Sequence, residues 1–115
     1  MPCGCGGIGS GATAMTSSAS FDVVTMGESL GLLTADRVGS IRHLRGMRVG
    51  FGGAESNVAI GVVRLDGSAV WLGRVGNDSF GQLIARELRA EKVDTVAVVD
   101  EKAATALMLK ERPRP

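Results

Sequence analysis

Two glycine-rich turns, each at the mouth of a run with helical periodicity, constrain this chain more than anything else in it. The first reads Gly52-Gly53-Ala54-Glu55-Ser56-Asn57-Val58-Ala59, the second Gly73-Arg74-Val75-Gly76-Asn77-Asp78-Ser79-Phe80-Gly81. Glycine admits positive φ and lets a backbone or a ligand approach closely. Apolar runs of strand length flank each turn and its helical run. Strand–helix–strand repeated in this way implies an α/β fold, with parallel neighbours joined by right-handed crossovers.

The apolar pattern fills in the rest. Phe21 to Met26 reads as a short buried strand centred on Val23 and Val24 and ended by Gly27. Leu30 to Thr34 is a second apolar stretch, residues 35–46 form a turn region, and Met47 to Phe51 pairs back with one face exposed. Ser56 to Leu65 is a short helix with Val58, Val62 and Leu65 on one face, which Ala59 and Val63 widen. Gly61 inside it costs about 1 kcal/mol against Ala, so it marks close packing. Ala69 to Leu72 is the next strand, and Ser79-Phe80-Gly81-Gln82 fits an S-x-x-Q capping box for a second helix. Its stripe is Phe80, Leu83, Ile84 and Leu88. Val96 to Val99 and Ala104 to Leu109 are two further strands. The segments between residues 30 and 51 fall outside the strand–helix rhythm and suit a small β flap.

Composition excludes several classes. The chain has 115 residues, 44% of them hydrophobic, which is enough for a globular class with a small core. Thirteen basic against twelve acidic residues give a net charge of +1, with three Phe and one Trp. That gives no electrostatic case for nucleic acid or a membrane surface and no stacking platform for bases. No apolar run reaches the length of a membrane span, and the first residues lack a secretory pattern, so the cytoplasm is the default location. Fourteen of the first twenty residues are Gly, Ala, Ser or Thr, and the expectation is a flexible tail over 1–20 and order over 21–115. Within that tail Gly4 to Gly9 matches G-x-G-x-x-G, but no strand can precede it, so the dinucleotide reading fails. Translation is expected to begin at Met15 or later. Cys3 and Cys5 cannot supply a structural zinc site.

Five residues are candidates for chemistry. Gly52 and Gly53 open a helix N-terminus with free N–H groups. Asn57, in the first turn, has the donor and the acceptor that sugar hydroxyls need; a plain turn with Asn57 as a local cap is the other reading. Glu28 follows the first strand at the end where ligands bind in open α/β sheets, or it is a solvated loop charge. Asp78 reads as a helix-terminus residue, His43 as surface. Arg74 either reaches an anionic group or is solvated. No residue reads as catalytic, metal-binding or cofactor-binding.

The two turns, with Leu65-Asp66-Gly67 and the opening Val23-Val24-Thr25-Met26-Gly27-Glu28-Ser29-Leu30, resemble the N-terminal signature of PfkB-type (ribokinase-like) carbohydrate kinases. G-G-A-E-x-N-V-A and G-R-V-G-x-D-x-x-G are typical of the 2-keto-3-deoxygluconate kinases among them, and the resemblance spans about residues 21–112. It implies the N-terminal part of a ribokinase-like three-layer α/β fold with a small β lid, built from residues 29–51 and part of 95–112. It implies ATP-dependent phosphorylation of a sugar or keto-deoxy sugar acid, with Mg²⁺. By the same resemblance Gly53 and Asn57 contact sugar oxygens, Met108 stands where relatives often place an aromatic, and lid strands pair two subunits. Leu32 stands where many relatives carry an acidic sugar ligand, which weakens a ribokinase or fructokinase assignment and leaves a keto-deoxy sugar acid acceptable.

The family's general base lies in a D-T-x-G-A-G-D segment, and the 115 residues contain none. The expectation is a sugar-binding and lid part that is inactive alone. A stand-alone sugar-binding module and a truncated product without function are the alternatives.

Overall fold

A computed structural model describes residues 20–114. The expectations placed on residues 1–19, including the tail, Met15, Cys3, Cys5 and the Gly4–Gly9 match, lie outside them. The order is β1 (Val23–Met26), β2 (Leu30–Ala35), a 3₁₀ turn (Ile41–His43), β3 (Met47–Gly52), α1 (Ala54–Arg64), β4 (Ala69–Gly76), α2 (Ser79–Ala90), β5 (Asp94–Asp100) and β6 (Leu107–Lys110).

Six strands make two sheets. The first is parallel, in the order β1-β4-β5, with Thr25 beside Trp71 and Trp71 beside Thr95. The second has the order β3-β2-β6, where β2 runs antiparallel to β3 and parallel to β6. The segments outside the strand–helix rhythm thus form a sheet of their own, which Leu107–Lys110 joins from far along the chain.

The crossovers β1–α1–β4 and β4–α2–β5 advance in the same direction across the first sheet. Right-handedness therefore puts both helices on one face. On that face Trp71, Val75, Ala59, Ile84, Leu88 and Val93 make the buried core. The opposite face carries Val24, Met26, Val96 and Val98, which are 60%, 75%, 41% and 53% exposed. Here the expectation of a buried first strand needs correcting. Thr25 is buried, while its neighbours Val24 and Met26 point to the uncovered side.

Three details of the helices also differ from the sequence reading. The inward face of α1 is Ser56 and Ala59, with Ile60, Val62 and Val63 packed against the core, whereas Val58 and Leu65 are exposed. Ala59, Val62 and Val63 thus lie on the expected face, and the small Ser56 and Ala59 let the helix sit close to the sheet. Nothing lies within 4 Å of where a Gly61 side chain would start, so Gly61 marks no close packing. The N-cap of α2 is Asp78, whose carboxylate accepts the Gly81 N–H at 2.8 Å; Ser79 is already the first helical residue. An aspartate oxygen at the cap competes well for that amide and adds charge that suits the helix dipole. Strand β4 also runs on through Gly73–Gly76, so the second glycine-rich segment is half strand.

Candidate functional site

Three separate segments meet at one place. Glu28 sits between β1 and β2, Gly52 ends β3 and Gly53 leads into α1, and Met108 and Lys110 lie on β6. Together with Asn57 they line a cavity of about 420 Å³, completed by Leu30, Leu32, Phe51 and Ala54. All five residues singled out in the sequence (Gly52, Gly53, Asn57, Glu28 and Met108) are thus brought together. The size is that of a pocket for one small molecule.

Each lining residue is placed by local structure. Asn57 is one turn into α1, its N–H bonded to the Gly53 carbonyl at 3.0 Å, and its exposed side chain faces the cavity rim. Gly53 has φ 165°, an ordinary extended value, so freedom to take positive φ is not what the position requires. What it requires is room. A Cβ there would lie 2.8 Å from the Glu28 carbonyl oxygen, 2.8 Å from Ser56 Oγ and 2.9 Å from Ser29 Oγ. The glycine is where the start of α1 presses against the β1–β2 junction.

Chemically the cavity is mixed. Leu30, Leu32, Phe51 and Met108 give apolar walls, Asn57 a carboxamide, Glu28 a carboxylate and Lys110 an ammonium. Such a set can hold a polyhydroxylated molecule carrying one negative charge. Lys110 was missed in the sequence; only its two-residue spacing from Met108 on one strand puts it on the same side. A larger cavity of about 540 Å³ lies between β3 and α2, lined by Val49, Ser79, Phe80, Gln82, Leu83 and Arg86. None of the candidate residues reaches it, and it is the gap where the second sheet leans on α2.

A family model described as pfkB family carbohydrate kinase matches residues 18–113. The chain belongs to this family. Members similar to it include 2-dehydro-3-deoxygluconokinase of Bacillus subtilis, 39% identical over 93 residues, 79% of this chain and 29% of that protein. Fructokinase of Escherichia coli is 48% identical over 59 residues, covering 50% of this chain and 19% of that protein. Among solved structures, an uncharacterized sugar kinase from Pyrococcus horikoshii in complex with ATP superposes with a TM-score of 0.72 at 38% identity, over 76% of this chain and 29% of that one. A PfkB protein from Polaromonas sp. JS666 superposes at 0.76 with 38% identity, over 80% and 32%. The chain therefore spans about a third or less of the PfkB-family proteins it matches.

Away from the cavity lining several charged groups of this PfkB chain are held by partners. Arg74 donates to Asp100 at 3.1 Å while its side chain stays 70% exposed, so it is both paired and solvated. The Asp100 carboxyl is lowered from its ordinary value, first by the Lys102 N–H, then by that of Ala103, with Arg74 adding less. Asp78 is lowered as well, chiefly by the backbone N–H of Thr105, then by its hydroxyl and by Gly81 N–H. His43 is exposed in the 3₁₀ turn.

ATP and Mg²⁺ are implied by the family, and neither a carboxylate cluster nor the start of α2 offers them a place among the described residues. No three His, Cys, Asp or Glu side chains cluster among them as a metal site would need. The start of α2, where a phosphate could otherwise settle, is already filled by the Asp78 carboxylate.

Proposed function

We propose that this chain is the sugar-holding and lid part of a carbohydrate kinase whose acceptor is a keto-deoxy sugar acid. One observation supports the reading above all: Glu28, Gly52, Gly53, Asn57 and Met108 arrive from three separate segments and line one cavity, beside Lys110. Asn57 and Glu28 would take hydroxyls by donating and accepting. Lys110 would face the acid group, a pairing that ribose or fructose could not use. Leu32, an apolar wall where an acidic hydroxyl ligand would otherwise project, agrees with a deoxygenated carbon at that point.

The β3-β2-β6 sheet would close over the sugar and keep water, the competing phosphoryl acceptor, away from it. ATP would supply the phosphoryl group. Its transfer depends on charge-stabilising groups around the phosphates, which these residues do not assemble, so binding without transfer is the activity expected of the chain itself.

Calorimetry with 2-keto-3-deoxygluconate, run beside a coupled ADP-release assay, tests this. Heat at roughly millimolar ligand without ADP release is the expected outcome, and Lys110→Ala should weaken it more than it weakens binding of fructose. No heat up to that concentration would remove the sugar site from the reading. Turnover by the chain alone would overturn the claim that transfer needs further residues.

A further inference from the structure

We infer that Asp78 and Thr105 form a joint that fixes strand β6, and with it Met108 and Lys110, at the mouth of the cavity. Asp78 caps α2 through Oδ1, which accepts the Gly81 N–H at 2.8 Å. The same oxygen accepts the Thr105 hydroxyl at 2.7 Å, and Oδ2 accepts the Thr105 N–H at 2.8 Å. The Thr105 oxygen in turn accepts the Gly76 N–H at 2.9 Å. One carboxylate and one hydroxyl thus tie the end of β4, the start of α2 and the approach to β6. Thr105 is only 8% exposed, so water competes poorly for these bonds.

The position of the joint gives it a role in the site. Thr105 is two residues before Leu107, where β6 begins, and the next bond along, Gly31 N–H to the Ala106 carbonyl at 2.8 Å, starts the pairing with β2. Lys110 and Met108 are exposed on a four-residue strand that has β2 as its single partner in the sheet. Such a strand is held mainly at its ends. Gly76 leaves space for the joint: a side chain there would run into Asp78 Oδ2 and the Thr105 nitrogen at 2.6 Å. Gly81 is required chiefly by the Gly76 carbonyl oxygen pressed against it, with the Thr105 hydroxyl a looser neighbour at 3.2 Å. Asp78 and Thr105 are positioning residues, since neither lines the 420 Å³ cavity itself. Their consequence for ligand rests on the reading of that cavity as a sugar site; their hold on β6 does not.

Amide hydrogen exchange on the 115-residue chain, followed by NMR, tests the joint. Thr105→Val keeps the shape and leaves Asp78 free to cap α2, but removes the hydroxyl. It should raise exchange at the β6 amides that bond β2 by about tenfold or more, while the interior amides of β4 and β5 keep their rates. Thr105→Ser restores the hydroxyl and should return β6 to near the wild-type rate. Unchanged β6 exchange in Thr105→Val, or an equal rise throughout the chain, would overturn the inference. So would failure of Thr105→Ser to restore protection. Titration of 2-keto-3-deoxygluconate into the same samples separates the two claims. Weaker binding in Thr105→Val, in proportion to the loosened β6, supports both. A loosened β6 in chains that bind no sugar upholds the joint and removes the substrate reading.

Discussion

At residue scale the site depends on contacts that no motif states. Ser29 is 1% exposed and its hydroxyl has no hydrogen-bond partner within the described structure. A buried hydroxyl without a partner keeps its desolvation cost with nothing to offset it. Ser29→Ala should therefore stabilise the chain by up to about 1 kcal/mol, read as a higher urea midpoint; a lower midpoint would show that the hydroxyl is satisfied in solution. Gly52, Gly53, Asn57 and Glu28 could be singled out by their places at a helix start and a strand end, each with a plain structural alternative, and Met108 only through the family resemblance. Lys110 was not, because a lysine near the end of an apolar strand looks like any solvated charge until β6 pairs with β2 and turns it toward Glu28 and Asn57. The reason for Gly53 was also hidden: the three oxygens around it come from residues 28, 29 and 56, and only the fold brings them together.

At element scale the ends of helices and strands carry the acid sensitivity. Asp22 is lowered by the Ser68 backbone N–H first and Asp78 by that of Thr105, while Glu91 is lowered by its bond to Arg64. A carboxyl whose folded value lies below its unfolded one contributes stability above the unfolded value. That contribution is lost as pH falls through the folded value. The urea midpoint should thus hold between pH 7 and 5 and fall from about pH 4 downward. Asp78→Asn should lower the midpoint at pH 6 and shrink the acid drop; an acid drop of the same size in that variant would show that Asp78 does not contribute to it. The elements themselves were readable from periodicity, except that β6 begins at Leu107 rather than Ala104 and β4 runs on from Leu72 to Gly76. The inward face of α1 was readable at Ala59, Val62 and Val63; Ser56 was not, because it is buried for being small rather than apolar. The cap of α2 was misplaced by one residue because Asp78 and Ser79 are both good caps, and Thr105, 26 or more residues away, decides between them.

At the scale of the molecule the two faces of the parallel sheet differ in what they tolerate. Leu88 and Ile84 are fully buried against Trp71. Leu88→Ala should cost about 2–5 kcal/mol, for the lost transfer energy and the cavity left behind. Val98, on the other face of the same sheet, is 53% exposed. Val98→Thr should stay within about 0.5 kcal/mol of the parent. Equal losses in thermal unfolding would mean that something covers the second face in solution. The sequence could not distinguish these faces, since a run of valines on a parallel strand reads as buried on both sides. The handedness of two crossovers running the same way separates them.

The pairing of β6 with β2 has a consequence in time. Gly31 meets Leu107, 76 residues on, whereas the parallel sheet pairs β1 with β4 at a separation of 46 and β4 with β5 at 24. Contacts so far apart close late in folding, after local ones have formed. The parallel sheet with its two helices can therefore be complete before the cavity has its third wall. A molecule that needs all three walls finds nothing to bind during the search and can act only on the finished fold. Added to a refolding chain it should leave the folding rate unchanged; added to the native chain it should slow unfolding, as for any interaction absent from the transition state.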